Sequence, residues 1–356
     1  MTRWDDVRDE LREHPRTWLV TGAAGFIGSN LVEELLLLGQ RVRGLDDFST
    51  GKRENLAALE RRVGAEAFSH FTFHEGSILD AAACREAVDG APLVLHQAAL
   101  GSVPRSIADP AASFAANVTG FVTLLEAARC AGVERFVYAS SSSVYGDHPG
   151  LPKREAEIGE PLSPYAATKR IDEVWAKQVA STYGIATTGL RYFNVVGPRQ
   201  DPEGPYAAVI PRWIAAFQRG ESPTIFGDGE TSRDFCPVAN VVQMNVLAAL
   251  GPLPECISDR VDPASGRSFN VALGTRTSLN ELFFLLRDGL AARGIPCGDF
   301  EPEYADFRPG DVRHSLADLS DARAILGYEP EVDFAAGIEI TLDAFLEPLA
   351  EGAPPN

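Results

Sequence analysis

From Trp18 to about Leu190 the chain alternates between short β-rich runs and helical stretches, and this rhythm restricts the fold more than any other feature. Candidate strands run Thr17–Thr21, Arg41–Leu45, Phe71–His74, Leu93–Gln97, Phe136–Ser140 and Thr187–Arg191. Repeated strand–helix–strand units predict an α/β fold built on a doubly wound parallel sheet. Sheets of this kind bind ligands beyond the C-terminal ends of their strands. With 356 residues the chain exceeds what one compact core usually holds. The rhythm breaks after Asn194, where Pro, Gly and charged residues gather at 197–205 and again at 252–267. Later stretches such as Ser278 to Arg293 have helical spacing without returning to the βα pattern. A smaller α/β lobe interleaved with the first is therefore expected. The sheet domain takes residues 1–190 and 236–265, and the lobe covering the substrate takes 191–235 and 266–356.

The first strand runs into Thr21-Gly22-Ala23-Ala24-Gly25-Phe26-Ile27-Gly28, and a helical pattern follows. Glycines at this spacing allow a tight turn and close approach of the backbone to a pyrophosphate, which then faces a helix N-terminus. A structural strand-to-helix turn would look the same in isolation. Here the motif opens a βα series, and a carboxylate, Asp46, closes the next strand, where a ribose hydroxyl is expected. The reading is a dinucleotide site in a Rossmann domain. Asp46 and Asp47 would repel a 2′-phosphate and favour NAD over NADP, although Lys52 and Arg53 lie nearby.

Two further features sit at later strand ends. Ser140 to Ser143 follow one strand, and Pro164-Tyr165-Ala166-Ala167-Thr168-Lys169 opens a helical stretch. Residues four apart share one helix face, so Lys169 places an ammonium beside the Tyr165 phenol. That charge, with a nicotinamide ring, favours the phenolate. Such a base can take a hydroxyl proton while hydride leaves the same carbon, and a serine hydroxyl can hold the reacting oxygen. A Tyr-x-x-x-Lys spacing by itself is also what an ordinary surface helix offers. The combination with the glycine turn and the serine run gives it meaning.

Composition excludes other classes. A net charge of −18 argues against nucleic acid and anionic membranes as partners. No apolar run is read as approaching the roughly 20 residues of a membrane span. Residues 1–16 lack the apolar stretch of a signal peptide; Trp4, Val7 and Leu11 have the spacing of a short amphipathic helix. Five scattered cysteines and six histidines form no ligand-spaced cluster, so no metal is expected and a reducing cytoplasm fits.

The glycine turn, Ser140 to Gly146 as Ser-Ser-x-x-Val-Tyr-Gly, Tyr165 with Lys169, and Arg191-Tyr192-Phe193-Asn194 together resemble the extended short-chain dehydrogenase/reductases over nearly the whole chain. Four longer runs narrow the resemblance: Ala98 to Ser106, Tyr145 to Lys153, Gly229 to Cys236 and Gly310 to Ser315. They are similar to the UDP-N-acetylglucosamine 4-epimerases of bacterial surface-polysaccharide pathways. The resemblance implies that Tyr165 is the base, Lys169 its partner and a ribose ligand, and Ser141 the hydroxyl at the sugar O4. It implies NAD contacts from Gly22, Gly25, Phe26, Ile27, Gly28, Asp46, Ser77, Ile78, Ala98, Lys169 and Tyr192. Substrate contacts are implied for Gly101, Ser142, Ser143, Asn194, Gln200, Val209, Ile225, Arg233, Arg308, Asp311 and Ser315. Arg233 and Arg308 suit a diphosphate, and Asp311 suits ribose hydroxyls. One departure stands out: relatives carry an acidic residue where Ser77 lies, against the adenine. A UDP-linked hexose is the implied partner, in a homodimer.

The implied reaction inverts C4 through a 4-keto sugar. A nucleotide-sugar 4,6-dehydratase is the nearest rival, but it needs a further acid and base. Relatives with that activity carry Asp-Glu where this chain has Ser142 and Ser143. A uronic acid decarboxylase is a more distant rival. A non-catalytic NAD-binding protein on the same fold typically loses the tyrosine or the lysine, and this chain keeps both.

Overall fold

Seven parallel strands form the sheet in the computed structural model, which describes residues 2–202, 208–257, 262–307 and 312–347. They are β1 (Thr17–Thr21), β2 (Arg41–Asp46), β3 (Phe71–Glu75), β4 (Leu93–His96), β5 (Arg135–Ser141), β6 (Ala186–Tyr192) and β7 (Arg267–Val271). Their order across the sheet is β7-β6-β5-β4-β1-β2-β3, and every pairing is parallel. Strand order reverses between β1 and β4, so the connections leaving their C-terminal ends diverge and open a crevice there. The central strands β1 and β4 are buried on both faces and read as near-continuous apolar runs, with Leu93, Val94 and Leu95 of β4 wholly inaccessible.

One face of the sheet packs Trp18, Val20 and Leu95 against Leu31 and Leu35 of helix α1 (Phe26–Leu37) and against Met244 and Leu247 of helix Val238–Leu250. The other face packs Leu19, Val94 and Phe136 against Phe121, Leu124 and Leu125. A third cluster, with Ile214, Phe217, Phe283, Leu286 and Leu342, forms the core of the second lobe. The amphipathic N-terminal helix spans Arg3–Glu13, is capped by Thr2 and Asp5, and buries Trp4, Val7 and Leu11.

Two expectations change. Strand β7 pairs with β6, so the sheet draws a strand from beyond residue 265, out of the stretch assigned to the second lobe. The helical stretch Pro110–Ala131 is also long and apolar enough, by length and composition, to cross a membrane. Its Phe121, Leu124, Leu125 and Ala128 lie in the core beneath the sheet, which accounts for its apolarity.

Candidate active site

The glycine turn sits in the crevice. Gly22 has φ 68°, a left-handed conformation, and a Cβ there would lie 2.9 Å from the Ala98 nitrogen at the end of β4. The Gly25 N–H donates to Gly22 O at 2.9 Å. A Cβ on Gly28 would lie 2.0 Å from that same carbonyl, so the turn and α1 can approach this closely only with glycine. Gly25 caps α1 without a side-chain hydrogen bond, which leaves the first N–H groups of the helix, Phe26 and Ile27 included, facing the crevice as an anion site.

A cavity of about 360 Å³ continues from the turn, walled by Gly22, Asp46, Asp47, Ser77, Ile78 and Ala98 among others. The Asp46 carboxylate accepts from Ala24 N at 3.0 Å and from Phe48 N at 2.8 Å. Burial raises its pKa despite those bonds. Each oxygen keeps a lone pair for a ligand hydroxyl. Asp47 sits below the ordinary carboxylate range: burial pushes it up, but hydrogen bonds from Ser49 and then Ser77 outweigh this. Ser77 thus meets Asp47 at the wall where an acidic residue was expected. The close glycine cradle, the open helix end and the hydroxyl acceptor fit a dinucleotide.

Tyr165 and Lys169 lie on helix α2 (Pro164–Tyr183), which Ser163 caps by accepting from Ala166 N. The Tyr165 N–H donates to Ser106 Oγ at 3.0 Å, and Tyr165 O accepts from the Thr168 hydroxyl at 2.7 Å. Asn117, which sequence reasoning missed, lies in a π-helical turn at Ala115–Thr119. It accepts from Leu100 N at 2.7 Å and donates to Thr168 Oγ1 at 3.1 Å, tying the loop after β4 to the tyrosine's helix. Such turns recur at functional sites. The only sequence signal was one asparagine inside an apolar helical run.

Lys169 is buried, with Asp172 Oδ2 at 3.4 Å from its Nζ. Burial pushes Asp172 up to about 7, against the pull of Lys169. Among the described residues its Oδ1 has no partner. His96 is driven down to about 3 by burial and then by the Lys169 charge, so it stays neutral. It shares a 2.7 Å hydrogen bond with Thr21 Oγ1. Tyr192 lies beneath the site, its hydroxyl donating to Gln97 and accepting from Asn245.

Ser141 ends β5, and Ser142 and Ser143 begin the 3-10 turn Ser142–Tyr145. Ser141 Oγ accepts from Ser143 N at 3.2 Å, while the buried Ser143 Oγ has no partner among the described residues, a polar atom suited to a ligand. Gly101 is exposed on the loop after β4, with nothing within 4 Å of a built Cβ.

In the second lobe Asn194, Val209 and Arg233 line a cavity of about 190 Å³ together with Arg212, Phe226 and Thr231, three residues not anticipated. The Ile225 side chain is fully buried in the lobe core, because strand alternation turns Thr224 and Phe226 to the cavity and leaves Ile225 its backbone to offer. Gln200 donates to Val195 O, and its buried Oε1 is without a partner among the described residues. Ser315 is half-buried, its N–H donating to Ser232 O at 3.1 Å. Arg308 and Asp311 lie outside the described residues. Among the described residues no cluster suits a metal ion.

Residues 18–254 match the family described as the NAD dependent epimerase/dehydratase family. The chain belongs to that family. A UDP-glucose 4-epimerase of Mycolicibacterium smegmatis is 40% identical over 329 residues, covering 92% of this chain and 97% of that protein. A UDP-N-acetylglucosamine 4-epimerase from Methanobrevibacter ruminantium, solved with UDP-N-acetylmuramic acid, is similar at TM-score 0.82 and 37% identity over 93% of this chain and 98% of that one. The Thermus thermophilus UDP-glucose 4-epimerase, solved with NAD, is similar at TM-score 0.75 and 33% identity over 92% and 98%. NAD is the cofactor of this family member, and UDP-sugar 4-epimerases are its homologues.

Proposed function

We propose that this protein interconverts UDP-N-acetylglucosamine and UDP-N-acetylgalactosamine, with UDP-glucose and UDP-galactose as further substrates. The sheet domain holds NAD and the second lobe holds UDP. What supports the acetylated sugar is the small hydroxymethyl of Ser315, whose N–H is held by Ser232 O, at the position that the family resemblance gives to the wall of the sugar pocket. Tyr165 takes the proton from O4, Lys169 supports the phenolate charge from the same helix face, and Ser141 holds the oxygen. Bound NAD supplies the hydride acceptor at C4, and later the donor. Asn194, Val209 and Arg233, with Arg308 and Asp311, retain the nucleotide while the freed sugar turns its other face to the tyrosine. Ser142 and Ser143 offer no carboxylate for loss of the 6-hydroxyl, which argues against the dehydratase.

Two further readings belong with this one. Large apolar side chains at Phe114, Ile171, Val174 and Trp175 are exposed on neighbouring helices. A second copy would cover them in a two-fold dimer. The described cysteines are all free, in keeping with a cytoplasmic enzyme.

The deciding experiment supplies UDP-N-acetylglucosamine deuterated at C4 to the purified protein without added NAD. We expect UDP-N-acetylgalactosamine that keeps its label. Loss of deuterium to water, or accumulation of a 4-keto-6-deoxy sugar, would overturn the assignment.

A further inference from the structure

Asn270, at the penultimate position of β7, is fully inaccessible and lies outside every contact assigned above. Both ends of its side-chain amide are engaged. The Tyr145 hydroxyl donates to Oδ1 at 2.5 Å, and Nδ2 donates to Lys153 O and Asp318 O, both at 2.9 Å. Its own N–H donates to Glu155 Oε1 at 2.9 Å. An amide nitrogen has two protons to give, so both carbonyls are bound by one rigid group.

These partners belong to segments far apart in sequence. Tyr145 ends the 3-10 turn that starts at Ser142, directly after Ser141. Lys153 pairs with the strip carrying Ser315: its N–H donates to Leu316 O at 2.7 Å, and Asp318 N donates back to Lys153 O at 2.9 Å. Tyr145 is itself held, with the Arg191 guanidinium over its ring at 4.9 Å and Arg191 bonded to Glu173 at 2.8 Å through both Nε and Nη2. One buried amide therefore joins the turn that presents the serines to the strip that presents the opposing wall.

We propose that Asn270 is a positioning residue for sugar selection: it fixes the separation between the Ser141–Ser143 turn and the Ser315 strip, and so sets the room for a substituent at C2. This rests on the epimerase reading for its sugar. The physical logic is that losing the amide donors leaves Asp318 O without its partner, while Lys153 O keeps the bond from Asp318 N, so the strip stays paired with Lys153 but is loosened against β7 and the serine turn.

The test uses Asn270→Asp, which keeps the acceptor for Tyr145 but removes the donors to Lys153 and Asp318, and Tyr145→Phe, which removes one hydroxyl. Hydrogen exchange of the 312–320 peptide is measured on the NAD-loaded proteins. The kcat/KM ratio for UDP-N-acetylglucosamine over UDP-glucose is measured alongside, with NAD content and melting temperature. For Asn270→Asp we expect about tenfold faster exchange in that peptide, corresponding to ~1.4 kcal/mol of local opening. We expect the substrate ratio to move several-fold towards one, through kcat and with KM little changed, because the nucleotide cavity lies elsewhere. Tyr145→Phe gives a smaller change in the same direction, and decides the matter if the Asp variant fails to fold. Unchanged exchange overturns the pin. Faster exchange with an unchanged ratio, or equal losses on both sugars, overturns the role in selection. If the unmodified protein turns over neither sugar, the epimerase reading fails, and the role in selection with it, while the exchange result still decides whether Asn270 holds the strip.

Discussion

Tyr165 enters its helix with its N–H on Ser106 and its carbonyl on Thr168, so its backbone is held from both sides before the phenol does any chemistry. Removing the hydroxyl leaves this scaffold intact. Tyr165→Phe should lower kcat by about 10²–10⁴-fold, the range a general base contributes. NAD content of the purified protein, read by its absorbance after denaturation, should be unchanged. Loss of NAD together with activity would mean that the phenol anchors the cofactor instead. Ser315 poses a question of room. A tyrosine there would overlap an acetamido group as the sugar turns, and overpacking costs roughly 1–3 kcal/mol, or about ten- to several-hundredfold in rate. Ser315→Tyr should therefore lose that much on UDP-N-acetylglucosamine and keep its rate on UDP-glucose. Steady-state rates on both sugars check it.

Elements place these residues, and here the sequence was only partly readable. Strands β1 to β6 follow from β-rich runs bounded by turns and match within a residue or two; the central ones are the plainest, because a strand buried on both faces has little choice of composition. Strand β7 was missed: Arg267-Ser268-Phe269-Asn270-Val271 is short, half polar, and stands 74 residues beyond its partner β6. Tyr165, Lys169 and the serine run were legible because spacing on a helix or strand end fixes which side chains converge. Asn117, Arg212 and the inward turn of Ile225 were not, since each depends on which tertiary neighbour an element meets. Helix α2 also carries a group no pattern announces. Burial raises Asp172 from an ordinary carboxylate value to about 7. A raised folded-state pKa contributes stability that is complete below about pH 4 and is lost as pH rises through about 7. Asp172→Asn removes that loss, so its melting temperature relative to the unmodified protein should climb between pH 5 and pH 8. A constant difference over that range would show that Lys169 fully compensates the buried charge.

At the scale of the whole molecule the exposed face of α2 makes its own prediction. Val174 is 56% accessible and Trp175 45%, beside Ile171. If a second copy covers them, Val174→Glu places a carboxylate in an apolar two-fold contact and should shift the mass measured by light scattering from dimer to monomer, with NAD retained. An unaltered mass would place the interface elsewhere. The interleaving of the lobes has a consequence for biogenesis. Strand β6 ends at Tyr192, but its outer neighbour begins only at Arg267, and the chain between them builds much of the second lobe. On a ribosome the first six strands emerge with a bare hydrogen-bonding edge on β6, open to other nascent chains. That edge closes only when residue 271 has left the exit tunnel, so the interval of exposure is set by translation rate, and the sheet cannot mature before the first part of the second lobe, between Tyr192 and Arg267, has been made.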